Sequence, residues 1–369
     1  VDCSWTGHPS ASAVPVSIAV AEDQHSTGKE YLAALIACFE VCMRVSMAVQ
    51  PGPDFDHNQG WAISNWNIWA ATTAAAKLMG LDATQIDKAF GLSCHFAEMA
   101  SNMQQATMSN AYHYPWGHVS QSGIEAALCA KYGIANMQGC FDIPYGYCEQ
   151  LTDAVDRSWL NKDMDQFMIM EILIKHWPAN MWVQTPLELA DVMHRKYGIN
   201  AEDIAELIID PQTDNRMFYD PKGYTSLVQA QFSTPFMLAS YFLNPDHPGK
   251  EWFGKEKLTD PAILELAGRV HGGPTTPHDN PGLSFDMFRK NDYPMKTMTI
   301  RTKDGRTFTE SLARHPGHPR NMMTLEQVCD RFRIQASATL DADKLERAVN
   351  ALNHIEACED ISTLSTYLY

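Results

Sequence analysis

Two histidines, two tyrosines and a tryptophan fall within seven residues, Tyr112-His113-Tyr114-Pro115-Trp116-Gly117-His118. Imidazole is the side chain whose ordinary pKa lies nearest neutrality, so His113 and His118 can take up or release protons, while Tyr112 can orient a bound group by hydrogen bonding. Pro115 and Gly117 break regular structure, which predicts a loop, and loops mounted on a rigid scaffold commonly carry binding and catalytic groups. Taken singly, each residue reads equally well as an aromatic cap on a core or a solvated histidine. The five together favour a site.

The elements that must hold this stretch read as helix after helix. Thr27-Gly-Lys-Glu30 is a capping box opening a long apolar helix to about Val49, with Leu32, Leu35, Ile36 and Phe39 as its buried stripe and Pro51 beyond its end. An alanine-rich helix is expected from Trp61 to Met79, a further one starts at Asp82-Ala-Thr-Gln85, and another spans Ile124 to Tyr132 before Gly133. Alanine suits close helix packing, so residues 10–175 read as an all-α bundle. Composition changes near Lys175-His176-Trp177-Pro178. A capping box at Thr185-Pro186-Leu187-Glu188 is expected to open a helix that ends at Gly198. Strand signals follow at Ile204 to Ile209 and at Met295 to Ile300, the latter turned by Asp304-Gly305 into Arg306 to Thr309 as a hairpin. Helices are expected from Gln229 to Leu243 and from Pro261 to Val270, then from Thr324 and Asp341. The expected architecture is mainly α: a discontinuous all-α domain of 1–175 and 315–369, and a smaller α+β lid domain of 176–314.

With 369 residues, 45% hydrophobic and 20% charged, the chain is long enough for two cores. It contains no run of eighteen apolar residues, so no membrane partner is expected. A net charge of −16 without a basic stripe argues against nucleic acid, although cations gathered locally could still bind an anionic metabolite. Nine scattered cysteines with no C-x-x-C pair, and Cys38 and Cys42 at helical spacing, suggest reduced thiols and a cytoplasmic location. Fourteen histidines invite a search for a metal site, but none lies in H-E-x-x-H or a zinc spacing; His315-Pro-Gly-His318 is the tightest ordinary pair and suits a loop. No phosphate loop surrounds Gly272-Gly273-Pro274. No metal and no cofactor are therefore expected. The first residue is Val1 and no signal peptide is recognisable, so an upstream segment is expected to be missing.

Several separated segments together resemble the MmgE/PrpD family: Gly7-His8-Pro9-Ser10-Ala11, Lys77 to Asp82, Gln121 to Ala126, Trp177-Pro-Ala179 with Gln184-Thr185, Ala230 to Phe236, and Lys303-Asp-Gly-Arg306. They span nearly the whole chain in order. The resemblance implies a helical domain with a smaller lid, a homodimer, further helices before the Gly-His-Pro motif, and chemistry on small polycarboxylates without metal or nucleotide. Such chemistry moves a proton next to a carboxylate, and the charge that develops must be stabilised. By resemblance, His8 and His113 are candidates for proton transfer, and Asp2 is similar to an aspartate that precedes the motif histidine. Departures accompany these matches: Asn110 stands where several relatives carry lysine, the lid histidine is replaced around Asn180-Met-Trp182-Val-Gln184, and Ala62-Ile63 stands where dehydratases place Asp-His.

The expected function is therefore a metal-independent lyase, of dehydratase or decarboxylase type, acting on a small di- or tricarboxylate or related acid. His8, His113 and Asp2 are its catalytic candidates, and Asn110, Tyr112, His118, Trp182, Gln184 and Arg216 its substrate contacts, Arg216 as a cation from the lid. Trp61, Trp66, Trp69, Trp116 and Trp182 would make the pocket apolar, although Trp66 and Trp69 read better as bundle packing. Two alternatives stand beside it: an isomerase or epimerase of a dicarboxylate, and a non-catalytic or partner-dependent homologue.

Overall fold

The computed structural model describes residues 2–3, 7–50, 64–97, 108–134, 137–212, 216–246, 248–275 and 295–368. Its internal contacts form two compact units: Val1–Thr107, Ala111–Ile172 and Leu340–Tyr369 make the first, and Met108–Asn110 with Leu173–Thr339 the second. The protein is mainly α, with a smaller α+β part.

The first unit begins with a two-residue strand, β1 (Asp2–Cys3), followed by α1 (Ser10–Asp23), α2 (Gly28–Ala48), α3 (Asn67–Leu78), α4 (Ala83–Phe96), α5 (Tyr114–Lys131) and α6 (Tyr147–Leu151). The capping box at α2 forms as its sequence predicts: Thr27 Oγ1 accepts from the Glu30 N–H at 3.3 Å, and Glu30 Oε2 from the Thr27 N–H at 2.8 Å. The box at Asp82 and Gln85 likewise starts α4. By length and composition α2 could cross a membrane, yet it is a core helix of this unit, with Cys38, Phe39, Cys42 and Met43 buried. Within that apolar segment the buried Arg44 pairs with Glu40 at 2.9 Å and donates to the Trp159 and Lys162 carbonyls, which ties the 159–166 stretch to α2.

Every residue of α3 from Asn67 to Ala76 is buried, because helices enclose it on all sides. Its alanines let neighbours come close, and α5 comes closest at Gly123. A Cβ there would lie 2.5 Å from the Ala71 Cβ, 2.8 Å from the Thr72 nitrogen and 3.0 Å from the Ile68 oxygen. The missing side chain thus sets the spacing of these two helices.

The second unit runs through β2 (Leu173–Ile174), α7 (Gln184–Tyr197), β3 (Ile204–Asp210), α8 (Leu227–Phe232), α9 (Thr234–Leu243), α10 (Pro261–Ala267), β4 (Val270–Gly272), β5 (Lys296–Thr302), β6 (Thr307–Leu312) and α11 (Leu325–Ala336). Four strands form one sheet in the order β4-β3-β5-β6, with β3 and β4 parallel and the other pairs antiparallel. Leu207 stands opposite both Val270 and Ile300, and these apolar residues join Leu187, Met193, Phe236, Tyr241 and Trp252 in a single core. The chain then returns to the first unit through α12 (Ala342–Asn353) and α13 (Ser365–Leu368).

The structure revises several expected boundaries. α3 begins at Asn67, and Trp61 to Ile63 lie outside the described residues. α5 starts ten residues before the expected Ile124. α7 starts at Gln184 with no side-chain cap, so Thr185 is inside its first turn rather than capping it. The helix expected from Gln229 to Leu243 is two, because Ser233 is extended and caps Phe236 while Pro235 lacks the N–H to continue the earlier one. Residues 315–339 belong with the second unit: the Ile174 N–H donates to the Gly317 oxygen at 2.9 Å and Gln335 Nε2 to the Pro248 oxygen at 3.1 Å.

Two glycines of α5 separate packing from propensity. Gly123→Ala should cost about 1–3 kcal/mol through overpacking against α3, whereas Gly117→Ala, with open space around the added Cβ, should be neutral or stabilising by up to about 1 kcal/mol. Denaturant midpoints of the two variants against wild type check this contrast.

Candidate active site

The ring-rich stretch is helical, not a loop. Asn110–His113 forms a 3-10 turn that runs into α5 at Tyr114. Pro115 falls in the first helical turn, where its missing N–H costs no intrahelical bond. The two breakers misled because a proline is punctuation inside a helix but an ordinary starter at its beginning.

Within the first unit this turn brings the two leading histidines into one series of rings. His8 is half-buried, its carbonyl accepts from Asn67 Nδ2 at 2.9 Å, and its ring meets Trp116 edge-on with centroids 5.6 Å apart. Trp116 meets Tyr112 at 6.4 Å, and Tyr112 meets His113 at 5.4 Å with planes 87° apart. Trp116 and Tyr112 are buried and His113 is exposed. The Trp116 carbonyl accepts from Ser120 Oγ at 2.6 Å and Ser12 Oγ at 3.4 Å, which fixes the start of α5 against α1. His118 is exposed, and the described ring contacts do not include it. Only the main chain of Asp2 is described, and Ala62 and Ile63 lie outside the described residues. Trp66 and Trp69 are fully buried in the bundle.

Asn67 is the member of this group that the sequence reading missed. It is fully buried, and its Oδ1 has no hydrogen-bond partner among the described residues. A buried acceptor without a donor is costly unless a ligand or water supplies one. The signal was an amide at the start of an otherwise apolar, alanine-rich helix.

In the second unit α8 gathers the remaining candidates. Asn110 Oδ1 accepts from the Leu227 N–H at 3.1 Å, so this amide satisfies a free donor at the start of α8. The Asn180 N–H donates to the Gln231 oxygen at 3.0 Å, and Asn180 Oδ1 accepts from the N–H of the half-buried Trp182 at 3.1 Å. Arg216 is buried rather than exposed, with its guanidinium 4.8 Å from the centre of the Phe232 ring. Gln184 closes a turn in its own segment. It is fully buried, Oε1 accepts from the Trp177 N–H at 2.8 Å, and Nε2 donates to the Trp177 and Ala179 carbonyls at 2.9 and 3.1 Å.

His315 and His318 are both buried in a turn rather than free on a loop. His315 Nδ1 lies 2.7 Å from the Pro316 oxygen, and His318 Nδ1 accepts from the Arg320 N–H at 3.0 Å. Burial holds the His315 pKa down at about 4, against the opposing effect of its hydrogen bond to the Pro316 carbonyl. Nearby, Glu188 Oε2 is shared by His176 Nδ1 and Trp177 Nε1, each at 3.0 Å. Among the described residues no three His, Cys, Asp or Glu side chains are grouped to hold a metal ion.

With this geometry in place, similarity to known proteins defines the class of protein first. The proteins it resembles are decarboxylases, and this chain is an enzyme of the lyase class. It belongs to the MmgE/PrpD family, whose N-terminal domain model matches residues 2–159 and whose C-terminal domain model matches residues 177–356. Among its relatives, the cis-aconitate decarboxylase of Mus musculus is 26% identical over 394 residues, covering all of this chain and 75% of that protein. The cis-aconitate decarboxylase of Homo sapiens is 23% identical, covering all of this chain and 76% of that protein. That of Aspergillus terreus is 21% identical, with 97% and 75% covered.

The buried His315 makes an acid limb of stability testable. Its folded pKa of about 4 lies below the ordinary 6.5, so between these values the unfolded chain binds the extra proton. Its stabilising effect is complete above about pH 6.5 and is lost as pH falls to about 4, by roughly 3 kcal/mol. Urea unfolding from pH 7 to 4 should show this slope, and His315→Asn should flatten it.

Proposed function

We propose that this enzyme removes carbon dioxide or water from a small di- or tricarboxylate, or a related acid, by moving protons next to a carboxylate with His8 and His113. The observation that carries this reading is the ring series from His8 through Trp116 and Tyr112 to His113. Loss of carbon dioxide leaves a carbanion that must be stabilised and then protonated, whereas loss of a proton next to a carboxylate leaves one that expels hydroxide, which takes up a proton and leaves as water; a group with a pKa near neutrality serves both. Asn67 Oδ1, buried on the residue that holds His8, supports a hydrogen-bonding ligand at this position. Trp116 and Tyr112 would give the site an apolar wall, which strengthens any charged interaction within it. In the second unit, Asn110 brings no charge and its carbonyl is engaged by α8, while Arg216 lies buried against Phe232.

The names of the relatives make cis-aconitate the first substrate to try. This reading uses no metal or organic cofactor, because the two imidazoles move the protons, and a chelator should leave turnover unchanged. A second reading is epimerisation of a dicarboxylate, favoured by the neutral Asn110, since two proton-transfer groups suffice and no leaving group requires an acid.

Product formation from cis-aconitate and related acids, followed by proton NMR, tests the reading directly. His8→Ala and His113→Ala should each lower kcat by about 10²–10⁴-fold with the circular dichroism spectrum unchanged; wild-type kcat in both would remove them from the mechanism. Solvent deuterium entering a dicarboxylate without net conversion would instead establish the epimerase reading.

The same proposal includes a homodimer. Support comes from exposed apolar side chains on and just after α5, Tyr114, Leu128 and Tyr132, and from an apolar groove of about 540 Å³ lined by Pro15, Val16 and Ala19 of α1 with Ile124 and Leu128 of α5. Light scattering should give twice the 41.3 kDa chain mass, and Leu128→Asp should return it to one chain.

A further inference from the structure

The first unit carries a pair of thiols that the proposed reaction does not use. On α4, Asp87, Gly91 and Cys94 follow helical spacing and face the segment that leads into α6. Asp87 Oδ1 accepts from the Gly139 N–H at 3.0 Å. Gly91 admits the Met137 backbone so closely that a Cβ would lie 2.4 Å from its oxygen. One turn on, His95 Nε2 lies 3.2 Å from the Met137 sulfur, and the rings of Phe90, one turn before Cys94, and Phe141, next to Cys140, meet with centroids 6.1 Å apart. These contacts hold Cys94 beside the segment that carries Cys140. Neither is in a disulfide, Cys140 is buried, and Cys94 is half-buried and so accessible to a small oxidant.

We propose that Cys94 and Cys140 are a reversible redox pair, in which Cys94 reacts with a hydroperoxide and Cys140 resolves the product as a disulfide. The Cys94 sulfur attacks the peroxide; an S–O bond forms, the O–O bond breaks, and hydroxide leaves with hydrogen peroxide as oxidant, giving a sulfenic acid. The Cys140 sulfur then gives up its proton and attacks the Cys94 sulfur; the S–S bond forms, the S–O bond breaks, and water leaves. In total two thiols and one hydrogen peroxide become a disulfide and two waters. The division of roles follows from exposure, since the half-buried Cys94 can meet the oxidant and the buried Cys140 cannot. Hydrogen bonding from Cys140 holds the Cys94 pKa below the usual thiol range, and the same bond, with burial, pushes Cys140 above it. Cys148, the next thiol along, is held up at about 11 by burial and is a poor competitor.

Hydrogen peroxide titration followed by non-reducing peptide mapping tests the pair in the intact protein. The expected result is a Cys94 to Cys140 disulfide, a loss of two hydrogens in intact mass, and full reversal by dithiothreitol. In Cys140→Ser, Cys94 should accumulate as a sulfenic acid captured by dimedone, and in Cys94→Ser neither product should form at Cys140. Iodoacetamide should label Cys94 at least about tenfold faster than Cys148 at neutral pH. A disulfide to Cys148 instead, or a Cys94 that stays reduced while other thiols oxidise, overturns the proposal, and the wild-type map decides this without any variant.

Discussion

The close approach of α5 to α3 at Gly123 is the constraint on which the first unit depends. Any side chain there would run into Ala71 and the Thr72 backbone, so its absence fixes how near the two helices lie. Both ends of the ring series hang on that pair. Asn67, at the start of α3, holds the His8 carbonyl, while Trp116, in the first turns of α5, meets the His8 ring. A small shift of one helix against the other would separate these contacts, because packed interiors transmit displacement rather than absorb it. The alanines of α3 extend the same logic along its length, letting helices pack on every side.

A comparable economy organises the second unit, where α8 is only six residues long yet several polar side chains attach to it. Its start is met by Asn110, its last turn by Asn180, and the Phe232 ring by Arg216. Short helices have many unsatisfied main-chain groups relative to their length, so side chains and loops from elsewhere readily complete them. Asn110 illustrates the consequence. An amide whose oxygen is engaged by a helix N–H completes that helix start, and it does so without bringing a charge.

Much of this was legible in residue patterns. The capping boxes at Thr27, Asp82 and Thr324 mark true helix starts, because the side chain and the main chain that make each box are neighbours in sequence. The hairpin at Asp304-Gly305 is equally local. Errors arose where a local signal had two meanings. Pro115 and Gly117 suggested a loop but lie in a helix, and Thr185 resembled a cap but sits inside a turn, since Val183 and Gln184 already adopt helical geometry. Gln184 was recognisable as part of a motif, but only the fold reveals that its amide closes the Trp177 to Asn180 turn.

By itself the sequence determined the mainly α architecture and the family, and it proposed His8 and His113 as candidates, because spacing, caps and ordered motifs are properties of neighbouring residues. Tertiary structure alone decided that His8 and His113 join one ring series, although 105 positions separate them in the chain. It also decided that Arg216 is buried over an aromatic ring, that Asn67 carries an acceptor with no partner among the described residues, and that Phe90 and Phe141 meet beside Cys94 and Cys140. Each of these depends on which helix faces cover one another, and periodicity identifies a buried face without naming its partner.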